Sequence, residues 1–438
     1  MENIRVRFAP SPTGKVHIGN IRAAIYNWLY ARHVGGKFLL RVEDTDLERS
    51  TPEAIQVLFE CMQWLGLDYD EEVFYQTKNV KRHLEVVDQL IASGHAYKCE
   101  KTSRDGKTGT VVMFRMPKEG VIEYDDIVKG HMAKKAEDIQ DFAIVRSDGS
   151  PIFHIANVVD DIDQGVTHII RGDDHVENTF KHICIFKALG APVPKYGHLS
   201  MIVNQQGKPY SKRDGAAFVG EYREQGYLPE ALFNYLLLLG WHPEGDREVL
   251  TREEMIREFE LEKVHVTAAM FDPKKLAWMN GEYIKKIPAD EFKALLKEKL
   301  EKAGGVGGRD EDWWDYLAPQ VQVRTKFLND LDHGLEYLVS DDFPMDEKAV
   351  EKRLKKEGAK KALEDVIALF EKVDDWKAPA LEECVKTLSQ GNGMGPWVHP
   401  IRVAVSGRGE GIGLFEMLQL LGKEKTLARL TKALVLCA

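Results

Sequence analysis

The chain has 438 residues, a formal net charge of −10, 30% charged and 44% hydrophobic residues, and five scattered cysteines. That length exceeds one typical core and predicts several domains; the composition, without Pro/Gly/Ser tracts, argues against disorder outside short loops, and the acidic balance argues against a generic polyanion binder while leaving room for local basic patches. The odd cysteine count without a C-x-x-C pair excludes a disulfide framework and disfavours structural zinc.

Ile4, Val6 and Phe8 alternate with Arg5 and Arg7, the two-residue period of a half-buried strand. Pro10, Pro12 and Gly14 end it, and Ile21, Ala24, Ile25, Trp28 and Leu29 then share one helical face. A helix is expected to start near Gly19 and Asn20, offering free N–H groups and a partial positive charge to an anion above His17 and Gly19. Gly19 lets a bulky ligand approach the backbone. Taken alone, this H-x-G is an ordinary turn with a surface histidine. Gly35-Gly36 stops the helix, and Lys37 to Glu43 reads as an apolar strand ending in Glu43, Asp44 and Asp46, which completes a βαβ beginning. Thr51 as N-cap and Pro52 at the first helical position open a second helix. Ligands of open α/β sheets bind beyond the carboxyl ends of the strands, so Ser11, His17 and Glu43 are expected around one pocket.

A helix over Val80 to Ser93 is followed by short strands and turns through Asp148-Gly149 that read as an insertion. There Lys98, Lys101, Arg104, Lys107, Arg115 and Lys118 face only Glu100 and Asp105, a basic patch that is equally a solvated loop. Ile152 to Val159 and Val166 to Arg171 read as strands, followed by Asp173, Asp174, His175 and a helix through Ala188. His198 to Val203 leads through a turn at Gln206-Gly207 into GKPYSKRDG, a solvated turn unless it folds over an anion. From Leu228 the chain reads as helices: Pro229 to Leu239, Arg252 to Phe259, Asp290 to Ala303 and, after a flexible-looking Gly304 to Gly308, the segment 313–438. No further strand stands out. Leu414, Phe415, Leu418 and Leu421, then Leu427, Leu430 and Leu434, are core stripes separated by Gly422. The longest apolar run, Tyr235 to Trp241, is far below the roughly 20 residues of a membrane span. The start MENIRVRFAP lacks the apolar core of a secretory signal, so a cytoplasmic chain without a membrane segment is expected.

In order and separation, PSPTGKVHIGN, LLRVEDTDLERS, FHIANVVDDIDQGVTHIIRGDDH, GKPYSKRDG, YLPEALFNYLLLLGW and HPIRVAVSGRGEG resemble the bacterial glutamyl-tRNA synthetases from the first strand to the C-terminus. The resemblance implies an α/β fold: a Rossmann-type class I synthetase catalytic domain with an α+β insertion, followed by an all-helical C-terminal anticodon-binding region. It implies 1–80 as the first half of the catalytic domain, 81–187 as a connective insertion for the tRNA acceptor end, and 188–242 as the second half. Residues 243–318 would be a stem-contact region and 319–438 the anticodon-binding domain. It further implies ATP-dependent attachment of L-glutamate to tRNA(Glu) through a glutamyl-adenylate, with ATP and Mg²⁺, no zinc, and a monomeric cytoplasmic enzyme.

His17-Ile18-Gly19-Asn20 is similar to the family's HIGH signature with Asn20 replacing the last histidine, and Ser211-Lys212-Arg213 to the end of its KMSKS loop. By that resemblance His17, Asn20 and Lys212 stabilise charge growing on the ATP phosphates, and Gly19, Ser211 and Arg213 complete the ATP site. The resemblance carries Arg7, Ala9, Ser11, Glu43, Phe153, Asn157, Arg171 and His175 to the glutamate pocket. The residue types suit the ligand: Arg7 and Arg171 offer guanidinium forks to its side-chain carboxylate, and Glu43 a counter-charge to its ammonium. Phe153 stands where the family commonly has tyrosine, and Pro209 where the loop commonly has its first lysine. The zinc-binding cysteines that some members carry in the insertion are absent, and no residue is assigned to a metal. Among alternatives, a glutaminyl-tRNA synthetase is disfavoured by Glu43-Asp44-Thr45-Asp46 and the helical tail, which also disfavours the truncated relatives that modify a tRNA base. Small nucleotidyltransferases share the helix start but need fewer domains, and a non-enzymatic RNA-binding relic is disfavoured by His17, Lys212, Arg7 and Arg171 together. Whether tRNA(Gln) is charged as well depends on anticodon-facing side chains that the sequence does not mark.

Overall fold

The computed structural model describes residues 3–46, 50–102, 108–302, 308–331, 334–390 and 393–437. The chain divides into two compact units, 1–224 with 229–276, and 225–228 with 277–438.

In the first unit β1 (Arg5–Phe8) leads into α1 (Ile18–Val34), which stops at a left-handed Gly35 and returns as β2 (Lys37–Val42), parallel to β1 with Arg5 opposite Lys37. The βαβ beginning is therefore present. The helix starts earlier than its apolar period suggests because His17 takes the N-cap, its Nδ1 accepting from the Gly19 N–H at 3.1 Å. A cap is a local hydrogen bond and leaves no mark in hydrophobic spacing. α2 (Pro52–Trp64) opens as expected, with Thr51 Oγ1 accepting from Ala54 N–H and Pro52 in the first turn. β3 (Phe74–Tyr75) adds to β2 in parallel.

After α3 (Val80–Ala92), β4 (Ala96–Thr102) and β5 (Thr108–Phe114) form an antiparallel pair, and β6 (Val121–Asp126) and β7 (Gly130–Lys135) a hairpin. β8 (Phe142–Val145) then joins the free side of β5. The stretch Ile152 to Val159, expected as a strand, is instead part of α4 (Phe153–Asp163). Its buried Ile155, Val158 and Val159 stand at i, i+3 and i+4, so the helical period outweighs the short alternation at its start. β9 (His168–Gly172) and β10 (Lys195–Leu199) are parallel, joined through α5 (Val176–Ala188), and β10 also meets β6 where Tyr196 lies opposite Asp126. The chain thus re-enters a parallel sheet at β9.

Beside β1, Thr167 N–H donates to the Arg5 carbonyl at 2.9 Å, which brings the start of β9 to the side of β1 away from β2. The order of the chain reverses there, and in open α/β sheets that reversal opens a crevice at the carboxyl ends of the strands. The run His198 to Val203 breaks at Ser200 and Met201; Ile202–Val203 forms β11, paired in parallel with β12 (Ala269–Met270), a two-residue strand too short to show in the sequence. α6 (Val219–Glu224), α7 (Pro229–Leu238) and α8 (Arg252–Glu258) complete this unit, α8 opening with a reciprocal Thr251–Glu254 capping box.

The division between the units falls within α9 (Pro273–Lys285). The second unit continues as α10 (Ala289–Lys302), α11 (Glu311–Gln322), α12 (Glu336–Val339), α13 (Glu347–Arg353) and α14 (Ala359–Phe370). α15 (Ala378–Ser389), α16 (Gly395–Ser406), α17 (Leu414–Leu421) and α18 (Lys423–Ala433) follow, so its described residues hold helices and no strand. The stripes expected as core are core: Leu414, Leu418, Leu421 and Leu430 are buried with Leu363 and Val366, and Leu427 and Leu434 pack against them half-buried. Ala303, Gly304 to Gly307, Arg104 and Lys107 lie outside the described residues, as do Leu47 to Arg49. Among the described residues no helix is long and apolar enough to cross a membrane.

Gly407 ends α16 in the left-handed region, φ 72°, with its N–H on the Val403 carbonyl, and an added Cβ would strike the Pro344 carbonyl oxygen. Gly358, φ 84°, precedes α14 with nothing near its Cβ position. Gly358→Ala should cost about 1–2 kcal/mol from the left-handed backbone alone, and Gly407→Ala a further ~1–3 kcal/mol of overpacking. Calorimetric unfolding of the two variants checks this; equal losses would mean that the Pro344 segment moves aside freely.

Candidate functional site

A cavity of about 660 Å³ opens at the crevice of the parallel strands. All eight residues assigned to the glutamate pocket by resemblance line it: Arg7 and Ala9 at the end of β1, Ser11 in the following loop, Glu43 after β2, Phe153 and Asn157 on α4, Arg171 on β9 and His175 before α5. His17, Gly19 and Asn20 line it as well. Ser211, Lys212 and Arg213 are not on its wall, which reaches their loop only as far as Pro209 and Tyr210.

At the helix start, His17 is held from several sides. Its Nδ1 accepts from Gly19, so the neutral ring carries its proton on Nε2 as a donor. A Cβ at Gly19 would come within 3.3 Å of that Nδ1, which favours glycine there for the cap as well as for a ligand. Burial lowers the His17 pKa, opposed by a hydrogen bond to the Tyr210 backbone. The strand-like contact His17–Phe218, with Ile18 N–H on the Ala217 carbonyl and Val219 N–H on the Val16 carbonyl, ties the segment after the lysine-bearing loop to the helix start. Within the loop, Asp214 receives Ser211 N–H and Oγ at 2.9 Å and Asn204 Nδ2 at 2.7 Å. Lys212 and Arg213 are exposed.

Deeper in, buried Asp161 on α4 accepts from Arg7 Nε at 3.0 Å and from Arg41 Nη1 at 2.7 Å. Burial would push its carboxyl up, but Arg41 and Arg7 hold it below the ordinary range. Glu43 accepts from Asn157 Nδ2 at 2.6 Å and lies 3.4 Å from Arg41 Nη2; burial nevertheless raises its pKa. Arg171 differs. Its Nη2 donates to Thr179 Oγ1 at 2.6 Å and to the His175 carbonyl at 3.3 Å, its Nε to His198 Nε2 at 3.3 Å, and Nη1 has no partner among the described residues. Burial pulls its pKa down to about 10, so it is still a cation at neutral pH, and none of its partners among the described residues is a carboxylate. The neighbouring imidazoles carry no competing charge: burial first and Arg171 next hold His175 near 4 and His182 well below its usual value.

Sequence reasoning did not find Arg41, Asp161, Thr179, Asp126 or His198. Asp161 was findable, since Asn157 and Asp161 are four apart and share a face once the segment is read as a helix. In the expected basic patch, Lys98, Lys101 and Arg115 are exposed, while Lys118 pairs with Asp141 at 2.9 Å. The cysteines are free thiols, and among the described residues no three His, Cys, Asp or Glu side chains form a group that could hold a metal.

A crevice at the switch point of a parallel sheet, with a helix start on its rim, is the layout on which open α/β enzymes hold anionic ligands. Residues 3–108 and 101–278 match the family of class I tRNA synthetases (E and Q), catalytic domain, and residues 270–434 match the anticodon binding domain family. The chain is 39% identical to a glutamate–tRNA ligase of Symbiobacterium thermophilum and 42% identical to one of Francisella tularensis subsp. novicida, in each case over 98% of this chain and 99% of the relative. The crystal structure of a glutamate tRNA ligase from Elizabethkingia meningosepticum in complex with its amino acid matches at a TM-score of 0.86 with 27% identity, over 99% of both chains. The glutamate-tRNA synthetase of Elizabethkingia anophelis matches at 0.85 with 28% identity, over 99% of this chain and 100% of that one. This chain therefore belongs to the class I tRNA synthetases for glutamate and glutamine, and within them to the glutamate–tRNA ligases.

Two guanidinium groups share Asp161, so Asp161→Ala should destabilise the first unit by about 3–5 kcal/mol at neutral pH. The carboxyl pKa is depressed on folding, so this stabilisation is whole above the unfolded value of about 3.9 and is lost as pH falls through the lower folded value. Unfolding measured from pH 7 to pH 3 should show the variant's deficit shrinking only in acid; a deficit unchanged at the lowest pH would overturn the assignment.

Proposed function

We infer that this protein attaches L-glutamate to tRNA(Glu) at the expense of ATP. The observation that carries the amino-acid reading is Arg171, a buried guanidinium on the cavity wall that, among the described residues, has one nitrogen free and no carboxylate bonded to it. A ligand carboxylate would complete it. Glu43, on the same cavity wall, would face the ligand's ammonium, and Arg7 would add its cationic edge while remaining on Asp161.

In the proposed first step a glutamate α-carboxylate oxygen attacks the α-phosphorus of ATP. The new C–O–P bond forms as the bond to the diphosphate breaks, leaving glutamyl-adenylate. Negative charge grows on the bridging and leaving oxygens. His17 through its Nε2 proton, Asn20, the N–H groups that open α1, and Lys212 are the donors proposed for it, with Gly19, Ser211 and Arg213 completing the ATP site. The three carboxylates on the cavity wall do not suit a resident metal: Glu43 is taken by Asn157 and Arg41, Asp173 by Lys129 at 3.3 Å, and Asp174, beside His175 at 3.7 Å, belongs to no group of three possible ligands among the described residues. Magnesium is therefore proposed to arrive on the ATP, neutralising its phosphates as part of the substrate. In the second step a terminal ribose hydroxyl of the tRNA attacks the glutamyl carbonyl and AMP leaves, a transfer governed by positioning. For the tRNA, the exposed lysines of β4, Lys98 and Lys101, are proposed for the acceptor end and the helical second unit for the anticodon, in a cytoplasmic monomer without zinc.

Lys212 is exposed and outside the cavity wall, so its proposed role requires the loop to close over ATP. Lys212→Ala should lower kcat for adenylate formation by roughly ten- to a thousandfold, as loss of one charged donor to a transition state does. Near-normal turnover would remove Lys212 from the site.

Glutamate and glutamine are nearly the same size, so charge and hydrogen-bond polarity must separate them. A carboxylate accepts from a guanidinium, whereas an amide turned with its NH₂ toward the donors leaves them unpaired. Phe153 supplies no hydroxyl, which leaves more of this choice to the arginines. Arg171→Ala should cost at least roughly tenfold in kcat/KM for glutamate and much less for residual glutamine activity. Aminoacylation with both amino acids and one tRNA decides it: equal losses would mean that Arg171 holds a group common to both.

A further inference from the structure

Selection of glutamate, as inferred above, needs Arg171 to meet the substrate as an uncancelled cation, and its neighbours are arranged to keep it so. All three of its acceptors, His198 Nε2, Thr179 Oγ1 and the His175 carbonyl, are neutral. A guanidinium only donates, so His198 Nε2 must be the bare nitrogen of its ring and the proton must sit on Nδ1. That Nδ1 is 2.5 Å from Asp126 Oδ2, with both side chains buried.

Asp126 is itself fixed. It ends β6, and its Oδ1 accepts from the backbone N–H groups of Val128 at 3.0 Å, Lys129 at 2.9 Å and His198 at 3.2 Å. With Oδ1 committed, Oδ2 is the oxygen left for the imidazole, and an ionised carboxylate oxygen can only accept. The direction of every bond from Asp126 to Arg171 follows. Thr179 Oγ1, 2.9 Å from His198 Nε2 and 2.6 Å from Arg171 Nη2, braces the same corner.

We propose that Asp126 and His198 are positioning residues for recognition of the substrate side chain: Asp126 locks His198 in the Nδ1–H form, and the neutral imidazole then aims Arg171 at the cavity without cancelling its charge. A carboxylate in place of His198 would orient the guanidinium at least as firmly, through a charge-assisted bond, but would occupy it and neutralise it. An imidazole protonated on both nitrogens would turn a donor toward Arg171 and repel it. Burial lowers the His198 pKa, against the pull of Asp126, which favours the neutral ring. This deepens the glutamate reading and rests on it.

The test uses the full-length enzyme and tRNA(Glu), with KM and kcat measured separately for glutamate, glutamine and ATP. His198→Gln can still present an amide oxygen to Arg171 and should raise KM for glutamate by no more than about threefold, whereas His198→Glu should raise it by about tenfold or more, the scale of one charged hydrogen bond. The preference for glutamate over glutamine should narrow by a similar factor in His198→Glu, with KM for ATP unchanged. In Asp126→Asn the committed oxygen stays with the backbone donors, the new NH₂ faces Nδ1, and the His198 proton is driven to Nε2. Nitrogen-15 spectra of histidine-labelled protein should show the Nδ1–H form in the parent and the Nε2–H form in Asp126→Asn, and in that variant KM for glutamate should rise while KM for ATP stays unchanged, a split that a merely structural role would not produce. A parent His198 in the Nε2–H form, or a His198→Glu enzyme that keeps the parental preference, overturns the proposal; if His198→Glu does not fold, Asp126→Asn decides, and an unchanged KM for glutamate there overturns it. Arg171→Ala in the same series separates the two levels. If it keeps the amino-acid preference, the glutamate reading itself fails; if it loses the preference while His198→Glu does not, only the positioning role fails.

Discussion

Buried Asp161, on the last turn of α4, receives a guanidinium from each of two neighbouring parallel strands, Arg7 of β1 and Arg41 of β2. Three ions are thereby taken out of water, and such clusters are kept only where the hydrogen bonds are nearly complete, because removal of any one member strands a charge. What the cluster secures is geometry. It ties the carboxyl end of β1 to β2 and to the helix that also carries Asn157, and Asn157 in turn holds Glu43. Arg7, Asn157 and Glu43 on the cavity wall are therefore held together around one carboxylate.

Three of the buried arginines, Arg7, Arg41 and Arg171, fall into two kinds, while Arg22, also on the cavity wall, donates to the Ser200 carbonyl. Arg7 and Arg41 have a carboxylate partner and serve as framework. Arg171 has hydroxyl, carbonyl and imidazole acceptors, so it is oriented while no carboxylate of the described residues bonds to it, which is the state the proposed glutamate reading requires. The surrounding rings fit this scheme. Phe153 lies 5.6 Å from the His175 ring and 5.5 Å from that of His182, and neutral rings add no second cation to draw the ligand elsewhere. The opposite rim works by backbone: His17 caps the helix with one nitrogen and leaves the other as a donor, beside N–H groups that the helix cannot pair internally.

The first βαβ unit, the opening of α2 and the helical character of the chain beyond Leu228 were legible in the sequence, because alternation, capping residues and apolar stripes are local signals. Ile152 to Val159 was not. Its first residues alternate, and only the later Val158 and Val159 disclose the helical period; taken as a strand, the segment sets Asn157 and Asp161 no closer than any pair four apart. β12 escaped because two residues carry no period. The lysine-bearing loop was recognisable as a motif, yet its exposed Lys212 shows that a motif specifies residue types and not their position around a cavity.

The sequence alone determined which residue types the chain can bring to a carboxylate and a triphosphate, and in what order along the chain. Its spacing was enough to declare the family, and resemblance within it carried eight residues to a pocket that the structure does bring together. The tertiary structure decided which charges are spent and which are free. Arg7, Arg41 and Arg171 look alike in the sequence, and their difference lies in partners more than a hundred residues away for the first two, and for Arg171 in His198, whose tautomer is set by Asp126 on another strand. Ionic pairing falls steeply with distance and depends on burial, both created only when the sheet closes.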